Sequence, residues 1–524
     1  MNTNEIVAKV DELSDGQMKE VQAQHRTLLL VRVDGTYKAY VPECPHQGAT
    51  LAEGLCCDGH VRCPWHQAVF DAAHGELIEP PALDRLPNYE CHIEGEDVVV
   101  SIPQEPTDQS PAPAASGHEP DKDERTFAII GGGAAGLAAA EMLRHEGYRG
   151  RIVVFTREAD LSYDRTELSK TYLADPDASR PTIRDEGFYA GAGIEVWTNS
   201  EVIELDVSSH TVACEQQTPL AFDKVLIATG GVPRKLGAEG EDLGNIFTLR
   251  SLADCERLRD AAGGAETAVV VGAGFIGMEV AAALTERGVK VTVVAPEAVP
   301  FERVLGERIG RMYQRAHEDR GTAFRLGAGV ERFEGEGDAV RRVVLQDGRR
   351  VDADMVVVGV GVRPATSFVR GVQTNRNGSI DVGTDFSAGR DVFAAGDVAR
   401  FPDWRTGEPI RIEHWRLAQQ HGRCAARGML GQGATFADVP FFWTSQHGII
   451  TQYVGCAREW DEIVFDGEPG DGPFVAYYLR DGRVHAAAGC ESDRKMAAVA
   501  EALKRPESPK LNDLRAEIGA RVET

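Results

Sequence analysis

The stretch FAIIGGGAAGLAAAEMLRHEG, Phe127–Gly147, runs from an apolar strand-like segment through a glycine turn into an Ala-rich helical one. Gly131, Gly133 and Gly136 follow the strand and open the helix, so the backbone N–H groups there can face a pyrophosphate. The next strand is IVVF, and Glu158 lies 22 residues past Gly136, where a carboxylate can grip ribose hydroxyls. One such turn is a weak signal, but this one is repeated. AVVVGAGFIGMEVAAALTERG, Ala268–Gly288, carries Gly272, Gly274 and Gly277 in the same frame, with VTVV after it. Two βαβ units of this kind predict parallel sheets and two dinucleotides, the usual pairing being FAD with a nicotinamide cofactor.

Around these units the texture changes. DKVLIATGGVPR, Asp223–Arg234, is a strand ending in a glycine turn, and DVFAAGDVA, Asp391–Ala399, repeats that pattern. From about Pro440, PFFWTSQHGIITQYVG and PFVAYYLRDGRVHAAAG alternate like an antiparallel meander around Asp481–Gly482, and the helical DRKMAAVAEALKR follows. On the other side, residues 103–124 hold five prolines and six acids with almost no bulky apolar residue, the composition of a linker. Residues 1–102 are short strands, with a hairpin signal at Asp34–Gly35 inside LLLVRVDGTYKAYV.

The 524 residues carry 82 acidic and 56 basic side chains, a formal charge of −26 that argues against nucleic acid and anionic lipid as partners. The start MNTNEIVAKVDELSDGQ has no secretory pattern, and TLLLVRV, broken at Arg32, is too short to span a membrane. Ten cysteines in so long a chain are no disulfide scaffold, and a cytoplasmic location is expected.

Four residues stand apart. CPHQGATLAEGLCCDGHVRCPWH places Cys44, His46, Cys63 and His66 in a Cys-x-His, sixteen residues, Cys-x-x-His frame. Zinc takes such a ligand set, but its short motifs usually pair like with like. Here each motif mixes one Cys with one His, which a Rieske [2Fe–2S] centre requires if Cys44 and Cys63 hold one iron and His46 and His66 the other. The frame, with CPWH and the VFDAAHGE that follows, resembles the Rieske ferredoxin family. It departs at Gln67, where that family commonly has Gly; the change bears on the loop over the cluster and not on its ligands. Cys56 and Cys57 are not placed like the disulfide cysteines of high-potential Rieske proteins.

Residues 125 to about 520 resemble the FAD-dependent pyridine-nucleotide oxidoreductases. More narrowly they resemble ferredoxin reductases of bacterial oxygenase systems and the Rieske-containing apoptosis-inducing-factor-like flavoproteins, which share this domain order. The resemblance implies a multidomain α/β and β fold. An all-β Rieske domain (1–102) and a linker (103–124) come first. The FAD-binding domain (125–250 and 377–438) is interleaved with an NAD(P)-binding domain (251–376), both Rossmann-like, and an α+β domain (439–524) closes the chain.

By the same resemblance the first glycine turn and Glu158 hold the adenosine end of FAD. Asp397 in AAGD bonds its ribityl–pyrophosphate region. YDRTELSK sets Arg165 and Lys170 beside the flavin, Glu279 pairs with Lys170 near the nicotinamide, and Trp415 and Trp443 flank the rings. Lys170 and Glu279 are the expected catalytic pair. The cofactor-binding set also takes in Ala135, Ala228, Thr229, Gly230 and Arg234, together with Phe275, Ile276, Gly361, Gly396 and His414.

Two absences shape the chemistry. Disulfide reductases of this superfamily carry a cysteine pair where this chain reads YDRTELSK, so thiol–disulfide exchange is not expected. After VTVV, relatives that use NADH tend to have Glu; here stands Ala295, with Glu297 two positions on as a substitute. No Arg cluster follows at once, although Arg303 is near, and the reading favours NADH over NADPH. The implied function is electron transfer from NAD(P)H through FAD to the Rieske cluster and on to an oxygenase, a P450 or a ferredoxin-like protein, by a monomer or homodimer. The alternative is a redox-gated interaction protein with little turnover.

Overall fold

The computed structural model describes residues 3–103, 117–215 and 217–523. Residues 104–116, most of the expected linker, lie outside them. Residues 117–124 rest on the following domain, where Glu119 N–H donates to the Arg149 carbonyl and its carboxylate pairs with the Arg149 guanidinium.

Two antiparallel sheets form the N-terminal region. The larger has six strands, including Arg26–Val33 and Thr36–Tyr40, which meet at Asp34–Gly35 with φ of 49° and 70°. Positive φ at both central residues matches a hairpin turn whose twist fits the flanking strands. The smaller sheet takes Leu55–Cys57, His60–Arg62, Val69–Asp71 and Leu77–Glu79 in order. The loop between its second and third strands carries Cys63 and His66, and the segment that follows Thr36–Tyr40 of the larger sheet carries Cys44 and His46.

The two glycine-turn units each build a five-stranded parallel sheet. In the first, the order is Ile194–Trp197, Arg151–Phe155, Thr126–Ile130, Lys224–Ile227 and Val392–Ala394. The second runs Ile246–Phe247, Met355–Val358, Thr267–Val271, Lys290–Ala295 and Ala323–Leu326. Their central strands are nearly all apolar because both faces are covered. Helices cover one face, and antiparallel strands cover the other, such as Val202–Asp206 and Thr211–Cys214 in the first unit and Val330–Glu336 and Ala339–Leu345 in the second. The order of successive strands switches sides at Thr126–Ile130 in the first sheet and at Thr267–Val271 in the second, and the glycine turns sit at those switch points. Ligands bind there in open α/β sheets.

The C-terminal region is a five-stranded antiparallel sheet, Phe441–Gln446 to Cys490, packed under helices Asp493–Ala502 and Leu511–Glu523. The last helix escaped the sequence reading, since its apolar residues are few. The core beneath these helices takes in Leu55 of the N-terminal region, which is 1% exposed.

Candidate functional site

A cavity of about 620 Å³ runs between the two parallel sheets and is closed on one side by the C-terminal sheet. Its first wall is the turn at Gly131, where φ is 119° and a Cβ would stand 2.2 Å from the Ala228 carbonyl oxygen. At Gly136 a Cβ would meet the Gly131 oxygen at 1.9 Å, so glycine alone lets the helix start this close to the strand. The helix Ala134–His145 thus opens onto the cavity with unbonded N–H groups.

Of the expected residues, Gly131, Gly133, Ala135, Glu158, Arg165, Lys170, Ala228, Thr229 and Gly230 line this space. So do Gly274, Phe275, Ile276, Gly277, Glu279, Gly361, Gly396, Asp397, His414, Trp415 and Trp443. Gly136 and Gly272 stand behind it as turn formers. Arg234 is not among the lining residues; its Nε donates instead to the Val362 carbonyl.

Among the described residues, three acid–base pairs stand in the cavity wall. Arg165 Nη2 donates to Glu158 Oε1 at 2.7 Å, and the Tyr163 hydroxyl donates to the other carboxylate oxygen. Burial works against the Glu158 charge, yet Arg165 and Tyr163 outweigh it and lower its pKa. Arg250, which the sequence reading passed over, donates to Asp397 Oδ2 at 2.8 Å. Lys170 Nζ lies 2.9 Å from Glu279 Oε2, and Glu279 is only 3% exposed. The Ser169 and Thr444 hydroxyls donate to the same carboxylate, so three donors from two segments hold it.

Two buried polar atoms in the wall, His414 Nδ1 and Thr166 Oγ1, have no partner. Burial pushes the His414 pKa down to about 4, which leaves a neutral imidazole facing the space. A glycine cradle, helix N–H groups and unpaired polar atoms suit an FAD-sized ligand. Among the described residues no cysteine lines the cavity.

Beyond Trp443 lies the Cys–His frame. His46 Nδ1 and His66 Nδ1 face each other at 3.0 Å. Burial lowers both imidazole pKa values, His46 to about 4, so the nitrogens are free to ligate. Cys44 and Cys63 form a second buried pair. The hydrogen bond between their sulfurs raises the Cys44 pKa and lowers that of Cys63. The four donors therefore fall into a thiol pair and an imidazole pair rather than one four-atom nest. The one described trio of ligand-type groups close enough for a single ion is Cys57, Asp58 and Glu501, not these. That division fits two irons better than one zinc ion.

The frame leans on the cavity wall. The His66 ring lies 4.2 Å from that of Trp443, centroid to centroid. His46 Nε2 is 4.0 Å from Asp164, whose side chain caps the short turn Arg165–Ser169. Gln47 reaches Glu167 of the same turn at 3.2 Å. The turn bearing Arg165 and leading into Lys170 therefore touches both sites.

Comparison with known proteins agrees with this division. Residues 125–422 match the pyridine nucleotide-disulphide oxidoreductase family, residues 3–90 the Rieske [2Fe-2S] domain and residues 441–518 the reductase C-terminal family. The chain is 37% identical over 506 residues to apoptosis-inducing factor 3 of Homo sapiens, covering 95% of this chain and 83% of that one. It is 39% identical over 375 residues to the ferredoxin–NAD(+) reductase component of the biphenyl dioxygenase system of Paraburkholderia xenovorans (strain LB400), covering 71% and 91%. Among solved structures, a covalent putidaredoxin reductase–putidaredoxin complex superposes with a TM-score of 0.71 at 27% identity, covering 76% of this chain and 99% of the reductase chain.

Proposed function

The chain belongs to the pyridine nucleotide-disulphide oxidoreductase family, as an FAD-type oxidoreductase with a Rieske domain, and from there we propose that it passes electrons from NAD(P)H through FAD to its own Rieske cluster and on to an acceptor protein. FAD takes two electrons from a nicotinamide and can release them singly, whereas a [2Fe–2S] cluster takes one at a time.

The observation that carries this reading is the place of Trp443, which lines the cavity and packs its ring on His66. On this reading Lys170 and Glu279 are the catalytic pair. Three donors fix the carboxylate, and the carboxylate fixes the ammonium at the cavity wall. The turn at Gly131 and the Arg165–Glu158 and Arg250–Asp397 pairs orient the first dinucleotide. Cys44, Cys63, His46 and His66 hold the cluster. A cavity wall without cysteine leaves no thiol relay, which directs electrons toward the Rieske side.

For the second dinucleotide we favour NADH. Glu297, just past the strand Lys290–Ala295, lies 3.2 Å from Arg303 and engages the arginine that a 2′-phosphate would need. Relatives named as components of dioxygenase systems, and a solved reductase captured with putidaredoxin, support an oxygenase-type acceptor. In this chain the Rieske domain takes the place of a separate carrier.

Anaerobic mixing with NADH tests the route. Flavin absorbance should bleach first, and the reduced-cluster electron paramagnetic resonance signal should follow. Bleaching with no cluster signal would remove the relay.

A further inference from the structure

The Rieske domain meets the reductase across a seam of buried charge. Arg416, directly after Trp415, is 2% exposed. Its Nε donates to the Pro80 carbonyl at 2.7 Å, its Nη2 donates to the Gln67 carbonyl at 3.1 Å, and it pairs with Glu79. Lys504 Nζ also holds Glu79, at 2.8 Å. Burial opposes the Glu79 charge, but Arg62, Arg416 and Lys504 outweigh it and lower its pKa. Arg62 Nε in turn donates to Glu501 Oε1 at 2.7 Å.

Gln67 sits at the centre. Its Oε1 accepts from Arg62 at 3.3 Å, and its Nε2 donates to Gln452 Oε1 at 3.1 Å. Gln452 Nε2 donates back to the Pro64 carbonyl at 2.9 Å. The loop from Cys63 to Gln67, with half of the cluster ligands, is thereby clamped at both ends by residues of the reductase. The backbone of Gln67 is left-handed, at φ 62°, a conformation that favours glycine. A fully buried glutamine in that conformation is accounted for by the bonds its side chain makes. Apolar continuity supports the seam, since Leu55 is buried in the core under the C-terminal helices.

We propose that Arg416 and Gln67 are positioning residues that hold the His66 loop against the Trp443 wall, so that the cluster occupies one station instead of swinging on a tether. Truncating one partner of a buried, hydrogen-bonded charge pair leaves the other charge unpaired, so it costs affinity as well as register. The proposal deepens the electron route given above, and its test reads docking separately from electron flow.

The test places a protease site within residues 104–116 of the full holoprotein, cleaves it, and passes the product over gel filtration in 0.15 M salt. The wild-type Rieske fragment should stay with the reductase. After cleavage, Arg416→Met and Gln67→Gly should release it, with a dissociation constant at least tenfold higher and iron and flavin content unchanged. Gln67→Gly separates the readings, because it relieves the backbone while deleting both side-chain bonds. A merely structural Gln67 would leave the fragment bound, and Arg416→Lys, which keeps the charge without the fork, should rescue part of the binding. Wild-type fragments that separate, or a Gln67→Gly protein that stays docked like wild type, would overturn the proposal. Fragments that stay together while NADH leaves the cluster oxidised would remove the electron route and leave the docking intact.

Discussion

The imidazole of His66 and the indole of Trp443 stand 4.2 Å apart with their planes at 44°, and the same indole lines the dinucleotide cavity. One side chain therefore borders both candidate centres.

Trp443→Ala should leave flavin bleaching by NADH near its wild-type rate and slow cluster reduction on the order of 10- to 100-fold, as small losses of placement do. Trp443→Phe should keep most of the rate. Two-wavelength stopped flow measures both steps, and an Ala variant that reduces its cluster at full speed would take the indole out of the path.

Lys170→Met strands the carboxylate of Glu279, 3% exposed, without its cation. Breaking a buried pair costs about 3–5 kcal/mol, and the Ser169 and Thr444 hydroxyls should keep the loss near 3. Glu279→Gln, which retains the Thr444 contact and sheds the charge, should cost less. Urea denaturation of both variants checks the order.

Replacing His66 by Cys should preserve a [2Fe–2S] cluster and lower its reduction potential by roughly 100 mV or more, since imidazole ligation is what raises Rieske potentials. Redox titration followed by electron paramagnetic resonance reads the shift. Protein that instead binds stoichiometric zinc and no sulfide would contradict the two-pair arrangement of donors.

Asp438, beside the charged seam, has its pKa pushed up to about 6 by burial, with the Glu79 charge adding to the effect. Its unfolded value is about 3.9. Between those values the folded chain holds a proton that the unfolded chain has lost, so this group makes stability fall as pH rises from about 4 to 6 and stay lower above. Asp438→Asn should therefore raise the melting temperature relative to wild type above pH 6, with the difference fading toward pH 4. Equal gains at both ends of the range would contradict the shifted carboxyl.

The two Rossmann-like units were legible because each couples an apolar strand, a glycine turn and a helix within about 20 residues, a local pattern. The same holds for the Asp34–Gly35 and Asp481–Gly482 hairpins. Arg250 and Arg416 were not legible. Each acts across a gap in sequence, Arg250 on Asp397 and Arg416 on Glu79, and nothing near either residue announces its partner. Gln67 lay in between. Its departure from glycine marked the position, but the meaning needed Gln452, 385 residues away. The Cys–His frame implies a Cys44–Cys63 pair and a His46–His66 pair, and the folded loops bring those same residues together two by two.

Trp415 and Arg416 occupy neighbouring positions of one helix, and an α-helix turns by about 100° per residue. Both border the cavity, and Arg416 also grips the Rieske loop. A borrowed Rieske module with glycine in place of Gln67, spliced ahead of Thr126, would thus bring ligands for iron but no amide to meet Gln452. Arg416 would still require an acid where Glu79 stands. Chimeras of this enzyme will need those two positions transplanted along with the graft.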